Sequence, residues 1–109
     1  MTVCDLNKLK RDPEGFLNRL DDWNTDVASA LAAEEQITLD EERLVVVTML
    51  RNFYLETEFA PPMRGLIKLV RERISPDKAN SIYLLGLFPG RPVKLIAKIA
   101  GIPKPDHCL

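Results

Sequence analysis

The chain has 109 residues, is 46% hydrophobic, and carries 15 Lys/Arg against 16 Asp/Glu for a formal net charge of -1. That length supports one hydrophobic core, and the mixed charge argues for an ordered globular chain, a single domain over residues 1–109. No apolar run reaches the roughly 20 residues of a membrane span, and the acidic, proline-containing N-terminus lacks the basic-then-apolar order of a signal peptide, so a cytoplasmic location with reduced thiols is expected.

Asp12-Pro13 predicts a helix start, with proline at the first helical position and Phe16, Leu17 and Leu20 as an apolar stripe to about Asp21. Asn24 or Thr25 then caps a second helix carrying Val27, Leu31 and Ala32, and Trp23 is expected to plug the junction. Asp40, followed by Glu41 and Glu42, opens a long helix to about Glu56, the acids complementing its dipole. Its stripe of Val46, Val47, Leu50, Phe53 and Tyr54 outweighs the β propensity of the Val45-Val46-Val47 run.

Pro61-Pro62 begins a helix with Leu66, Ile67, Val70 and Ile74, which Ser75-Pro76-Asp77 breaks. This helix and the one before it resemble a helix-turn-helix, but such pairs are far more often packing units, and no side chain here identifies a base reader. Asn80-Ser81 caps a short helix holding Tyr83, Leu84 and Leu87, ended by Pro89-Gly90. The last helix runs from Pro92 to about Ala100, burying Val93, Ile96 and Ile99 and leaving Lys94 and Lys98 on another face. The fold class expected is mainly α: a compact orthogonal helical bundle with a projecting C-terminal arm.

Charge is divided along the chain. Residues 1–63 hold six Lys/Arg against thirteen Asp/Glu, and residues 64–109 hold nine against three. Most of these are read as solvated helix faces; Arg64, Lys68, Arg91, Lys94, Lys98 and Lys104 are also candidates for a positive surface near the arm that steers acidic or RNA-bound partners. Arg64, Lys68, Lys94 and Lys98 are its nominated docking residues. Phosphate-cradling glycine loops, metal-ligand clusters and Ser/His/Asp sets are absent, His107 being the only histidine, so no metal or cofactor is expected. Asp21-Asp22 and Glu34-Glu35 are read as surface charge rather than acid/base pairs.

The tail Ile99-Ala100-Gly101-Ile102-Pro103-Lys104-Pro105-Asp106-His107-Cys108-Leu109 carries the chemistry. Gly101 takes the left-handed position that closes a helix, and Pro103 forbids its continuation. Pro103 and Pro105 fix φ and remove donors, giving residues 101–109 the character of a stiff arm with few bonds to the body. Cys108 is then a thiol held out for a partner, with Pro103, Lys104, Pro105 and His107 as arm and partner contacts. Lys104 and His107 favour its thiolate, while Asp106 and the terminal carboxylate oppose it. Cys4 is read as an ordinary small residue in an N-terminal strand; pairing with Cys108 would require Cα atoms within about 7 Å.

The tail string resembles the C-terminal signature of the DsrC/TusE family of sulfur-handling proteins, IAGLPKP followed by two variable residues, cysteine and one apolar residue. The resemblance extends to Asp22-Trp23-Asn24, to Arg51-Asn52-Phe53-Tyr54, to Pro62-Met63-Arg64 with Leu66 and Lys68, to Asn80-Ser81-Ile82-Tyr83-Leu84 and to Leu87-Phe88-Pro89. It covers about Gly15 to Leu109. Three positions depart from the pattern. Ala97 stands where the two-cysteine branch has its second cysteine, Arg43-Leu44 replaces a His-Trp pair, and Gly90-Arg91-Pro92 replaces x-Gly-Pro.

The resemblance implies a small N-terminal β-hairpin over about residues 3–11 and a place in the single-cysteine, TusE-like branch. It implies a sulfur-relay carrier that takes persulfide sulfur on Cys108 and passes it on, a sulfurtransferase-type carrier rather than a self-contained enzyme. The partners implied are a TusBCD-like donor and an acceptor resembling a tRNA wobble-uridine 2-thiouridylase, with no membrane and no direct nucleic-acid binding. The alternatives are a DsrC-like partner of dissimilatory sulfite reductase or a sulfur-oxidation complex, and a helix-turn-helix regulator.

Overall fold

Asn24, Asp40 and Asn80 each turn a side-chain oxygen onto a backbone N–H three residues on, those of Val27 (2.9 Å), Arg43 (2.9 Å) and Tyr83 (2.7 Å). Each satisfies an orphan donor, and a helix starts behind each cap. In the computed structural model, which describes residues 5–105, these helices are α1 (Thr25–Glu34), α2 (Glu41–Thr57) and α4 (Ser81–Leu87). The proline-initiated helices are α3 (Met63–Arg73) and α5 (Pro92–Ile99). Three-residue 3-10 turns occupy Leu6–Lys8, Leu20–Asp22 and Pro76–Lys78.

The helix expected over 12–21 is not formed. Asp12 Oδ1 accepts from the backbone N–H groups of both Glu14 and Phe16 (2.9 Å each), which gives this stretch a side-chain alternative to helical bonds. Gly15 adopts φ +93°, outside the helical region, and the chain folds back so that Arg11 and Leu17 form an isolated antiparallel bridge. The stripe was nonetheless informative about burial, since Phe16 and Leu17 both enter the core. The N-terminal hairpin is likewise not seen: among the described residues there is no strand, and Leu6–Lys8 is a 3-10 turn capped by Asp5. Residues 3 and 4 of that expectation, with Cys4, lie outside the described residues.

α5 is the hub. It packs against α1, α2, α3 and α4, and its Val93, Ile96, Ala97 and Ile99 are buried. Around it close Val27, Leu31 and Ala32 of α1, Val46, Val47 and Leu50 of α2, Leu66 and Val70 of α3, and Leu84 of α4. The radius of gyration, 13.0 Å, equals the value of about 13 Å expected for a folded chain of this length. No helix of the described residues is long and apolar enough to cross a membrane. The segment leading to Cys108 therefore leaves directly from the most enclosed helix of the fold.

Candidate functional site

α5 ends in a Schellman motif. Gly101 N–H donates to Lys98 O (3.1 Å) and Ile102 N–H to Ala97 O (3.2 Å), with Gly101 at φ +71° as the left-handed residue. Ile102 is fully buried, supplying the apolar contact that accompanies such a cap.

Two side chains grip the remaining carbonyls. Trp23 Nε1 donates to Ile99 O (2.7 Å) and Arg51 Nη1 to Ala100 O (3.0 Å), while Arg51 Nη2 donates to Leu20 O (2.8 Å). The Arg51 guanidinium also lies 4.4 Å from the centre of the Trp23 ring, within cation–π range. Burial pushes the Arg51 guanidinium below its ordinary value, with Asp21 opposing, and an arginine remains charged regardless. A cation facing the C-terminal carbonyls of α5 also complements the helix dipole. Sequence reasoning expects Trp23 at the junction between a helix over 12–21 and α1; that helix is not formed, and the ring instead closes the end of α5. The same reasoning missed Arg51, whose position between Leu50 and Phe53 on the α2 stripe was the available signal.

Beyond Gly101 the arm remains attached. Pro103 and Lys104 are exposed, but Pro105 is buried and, with Pro103 and Lys104, borders a cleft of about 210 Å³ shared with Tyr54, Glu58, Phe59 and Ala60. Lys104 Nζ pairs with Glu14 Oε2 at 2.6 Å, and Lys94 Nζ pairs with the other oxygen of the same carboxylate at 2.8 Å. The expectation of an arm with few bonds to the body therefore fails for residues 101–105. Ile102 and Pro105 are apolar and find a core and a cleft to enter, which outweighs the donors lost at the prolines. Asp106, His107, Cys108 and Leu109 lie outside the described residues.

Lys104, and after it Lys94, hold the Glu14 carboxyl down at about 2. Its folded value lies below its unfolded one, so the pairing contributes at pH values above the ordinary carboxylate range and is lost as pH falls toward about 2. A carboxyl-carbon NMR titration of Glu14 is expected to show a midpoint well below 4.5, and Lys104→Gln to move that midpoint upward. A wild-type midpoint near 4.5 would dissolve this latch.

The nominated basic residues separate into two sets. Lys94 and Lys98 face acids from the first half of the chain: Lys98, only 8% exposed, pairs with Glu34 (3.3 Å) and Glu35 (3.0 Å). The helical spacing puts Lys98 with Lys94 on another face from the buried stripe of α5 and in a basic docking surface; in the structure Lys98 is instead enclosed, because the 12–17 loop and the end of α1 bring Gly15 and two glutamates over it. Arg64 and Lys68 are exposed on α3. The division of charge along the sequence is thus largely cancelled by folding, since Arg73 pairs with Glu56 and Lys78 with Glu42 as well. Among the described residues no cluster of His, Cys, Asp and Glu could hold a metal.

The family model described as DsrC like protein matches residues 4–109. The chain is 43% identical over 102 residues to Sulfurtransferase TusE of Buchnera aphidicola subsp. Schizaphis graminum, covering 94% of this chain and 90% of that one. It is 39% identical over 109 residues to Sulfurtransferase TusE of Salmonella paratyphi A, with full coverage of both. Among solved structures it is similar to Allochromatium vinosum DsrC (TM-score 0.85, 39% identity, 93% of this chain and 90% of that one). A second is the oxidized gamma-subunit of dissimilatory sulfite reductase, DsrC, from Archaeoglobus fulgidus (TM-score 0.79, 37% identity, 93% and 92% covered).

Proposed function

Since the chain belongs to the DsrC-like family, we propose that it is a sulfur-relay carrier of the sulfurtransferase type that loads one sulfur atom on Cys108 and delivers it to an acceptor. The observation that carries this reading is the mounting of the arm: Trp23, Arg51, Ile102 and Pro105 tie it down to within three residues of the only thiol in the tail. Three residues of chain span at most about 10 Å, so the thiol is presented from a fixed base rather than from a long tether.

The chemistry needs one thiolate. Cys108 attacks the outer sulfur of a donor persulfide, the bond between the donor's two sulfurs breaks, and the donor leaves as a thiolate while Cys108 becomes Cys-S-SH. The acceptor takes the outer sulfur by the same exchange, so the carrier returns unchanged and acts between enzymes rather than alone. Pro103 and Lys104, exposed on the arm, and His107 are the residues a partner meets beside the thiol, while Pro105, expected beside them, is buried and anchors the arm to the body. In this reading the donor is a TusBCD-like complex and the acceptor a tRNA 2-thiouridylase-like enzyme, all in the cytoplasm; the support is the similarity to proteins named Sulfurtransferase TusE.

The DsrC structures favour a second reading, a partner of dissimilatory sulfite reductase. Ala97 counts against it: this position is fully buried inside α5, and where the two-cysteine branch has a second thiol the chain has only a methyl group. A persulfide-loaded donor carrying labelled sulfur, the chain, a tRNA thiouridylase, unmodified tRNA and ATP to activate the uridine oxygen as a leaving group are expected to yield labelled 2-thiouridine only when all are present. Label that reaches the chain but never the tRNA, together with co-purification of a siroheme protein, would replace the first reading by the second.

A further inference from the structure

Most cations of the second half of the chain are neutralised by acids of the first half, and the exceptions are concentrated on α3. Arg64, Lys68 and Arg71 are exposed and make no ion pair among the described residues. Their spacing of four and three residues places them within an arc of about 60° on the helix and in a row about 10 Å long. Glu72 flanks the row at its edge, next to Lys68 in the helical sense, and makes no ion pair with it either. Three like charges left side by side repel one another, while the same fold pairs Lys78, Lys94 and Lys98.

We propose that this row contacts the phosphate backbone of the RNA held by the sulfur acceptor, an inference that rests on the tRNA-thiolation reading above. Two observations favour RNA over an acidic protein face. None of the large apolar side chains exposed among the described residues, Val45, Leu55, Phe59, Ile82 and Leu85, belongs to α3. Protein–protein interfaces bury an apolar centre, whereas nucleic-acid interfaces are polar and strongly positive. The row also begins at the arm's end of the molecule: Ala60 borders the cleft with Pro105, and four residues of chain, at most about 14 Å, separate Ala60 from Arg64. An acceptor that takes sulfur from Cys108 for a base must hold that base, and hence its phosphates, near the arm. The contact supplies position and encounter rate without reading sequence, consistent with the lack of a base reader on α3.

The test measures affinity of the full chain for a tRNA 2-thiouridylase, alone and with unmodified tRNA bound, together with sulfur transfer. The wild type is expected to bind the tRNA-loaded acceptor more tightly than the empty one. Neutralising three phosphates predicts that this increment shrinks about 20- to 40-fold between about 50 and about 200 mM salt. R64Q/K68Q/R71Q is expected to lose the increment and its salt dependence, while K8Q/K10Q/R19Q, which removes equal charge elsewhere, retains both. An increment unchanged in R64Q/K68Q/R71Q overturns the inference. Equal loss toward the empty acceptor assigns the row to an acidic protein face instead and overturns it too. Transfer that proceeds without charge dependence defeats only the RNA contact; a wild type that delivers no sulfur to the acceptor defeats the relay reading, and this inference with it.

Discussion

Cys108→Ser is expected to carry no added sulfur after exposure to a persulfide-loaded donor, where the wild type gains one reducible sulfur atom. A serine hydroxyl is not ionised near neutral pH and does not attack the outer sulfur of a persulfide, so the loss is of the whole signal rather than a fraction. Intact-protein mass spectrometry before and after reduction reads it directly. Cys4→Ser is expected to load like the wild type. Sulfur retained on Cys108→Ser would show that another group is the carrier and would dismantle the relay reading. Loading of the wild type with two sulfur atoms, one lost in each variant, would make Cys4 a second carrier.

Gly101→Ala, a change of one methyl group, is expected to destabilise the fold strongly. The residue sits at φ +71°, where a side chain costs about 1–2 kcal/mol. A Cβ would also collide with Cδ1 and Cγ of Trp23, and overpacking of this kind adds about 1–3 kcal/mol. Together these predict a loss of about 2–5 kcal/mol and a fall in Tm of roughly 10–25 °C. Thermal unfolding followed by circular dichroism measures it. The collision term is separable from the backbone term: in a Trp23→Ala background, itself costly because it removes the bond to Ile99 O, Gly101→Ala should cost less than in the wild type. Additive losses would mean that the ring and the glycine are not in contact. A Gly101→Ala variant as stable as the wild type would refute the Schellman closure itself.

How much of this was legible beforehand differs by residue. Asn24, Asp40 and Asn80 identified three helix starts because capping is a local interaction between a side chain and the next turn of backbone. Gly101 and Pro103 identified the end of α5 for the same kind of reason, and α5 stops at Ile99 with Ala100 as its cap. The helix read over 12–21 failed because a stripe of Phe16, Leu17 and Leu20 reports burial, and burial was reached by a loop that Asp12 and Gly15 close.

By itself, then, the sequence determined a mainly helical chain, the starts of the five α-helices found among the described residues, the stop at Gly101 and a thiol in a proline-containing tail. Those are properties of neighbours within a few residues, where periodicity, caps and fixed φ operate. Tertiary structure alone decided that Arg51 and Trp23 share the C-terminal carbonyls of α5, that Glu14 joins Lys94 and Lys104, and that Ile102 and Pro105 bind the arm to the body. It also decided which cations stay unpaired, leaving Arg64, Lys68 and Arg71 outward while enclosing Lys98. Such contacts join residues up to about 90 positions apart, and their energies depend on distance and burial in three dimensions, which no local pattern encodes.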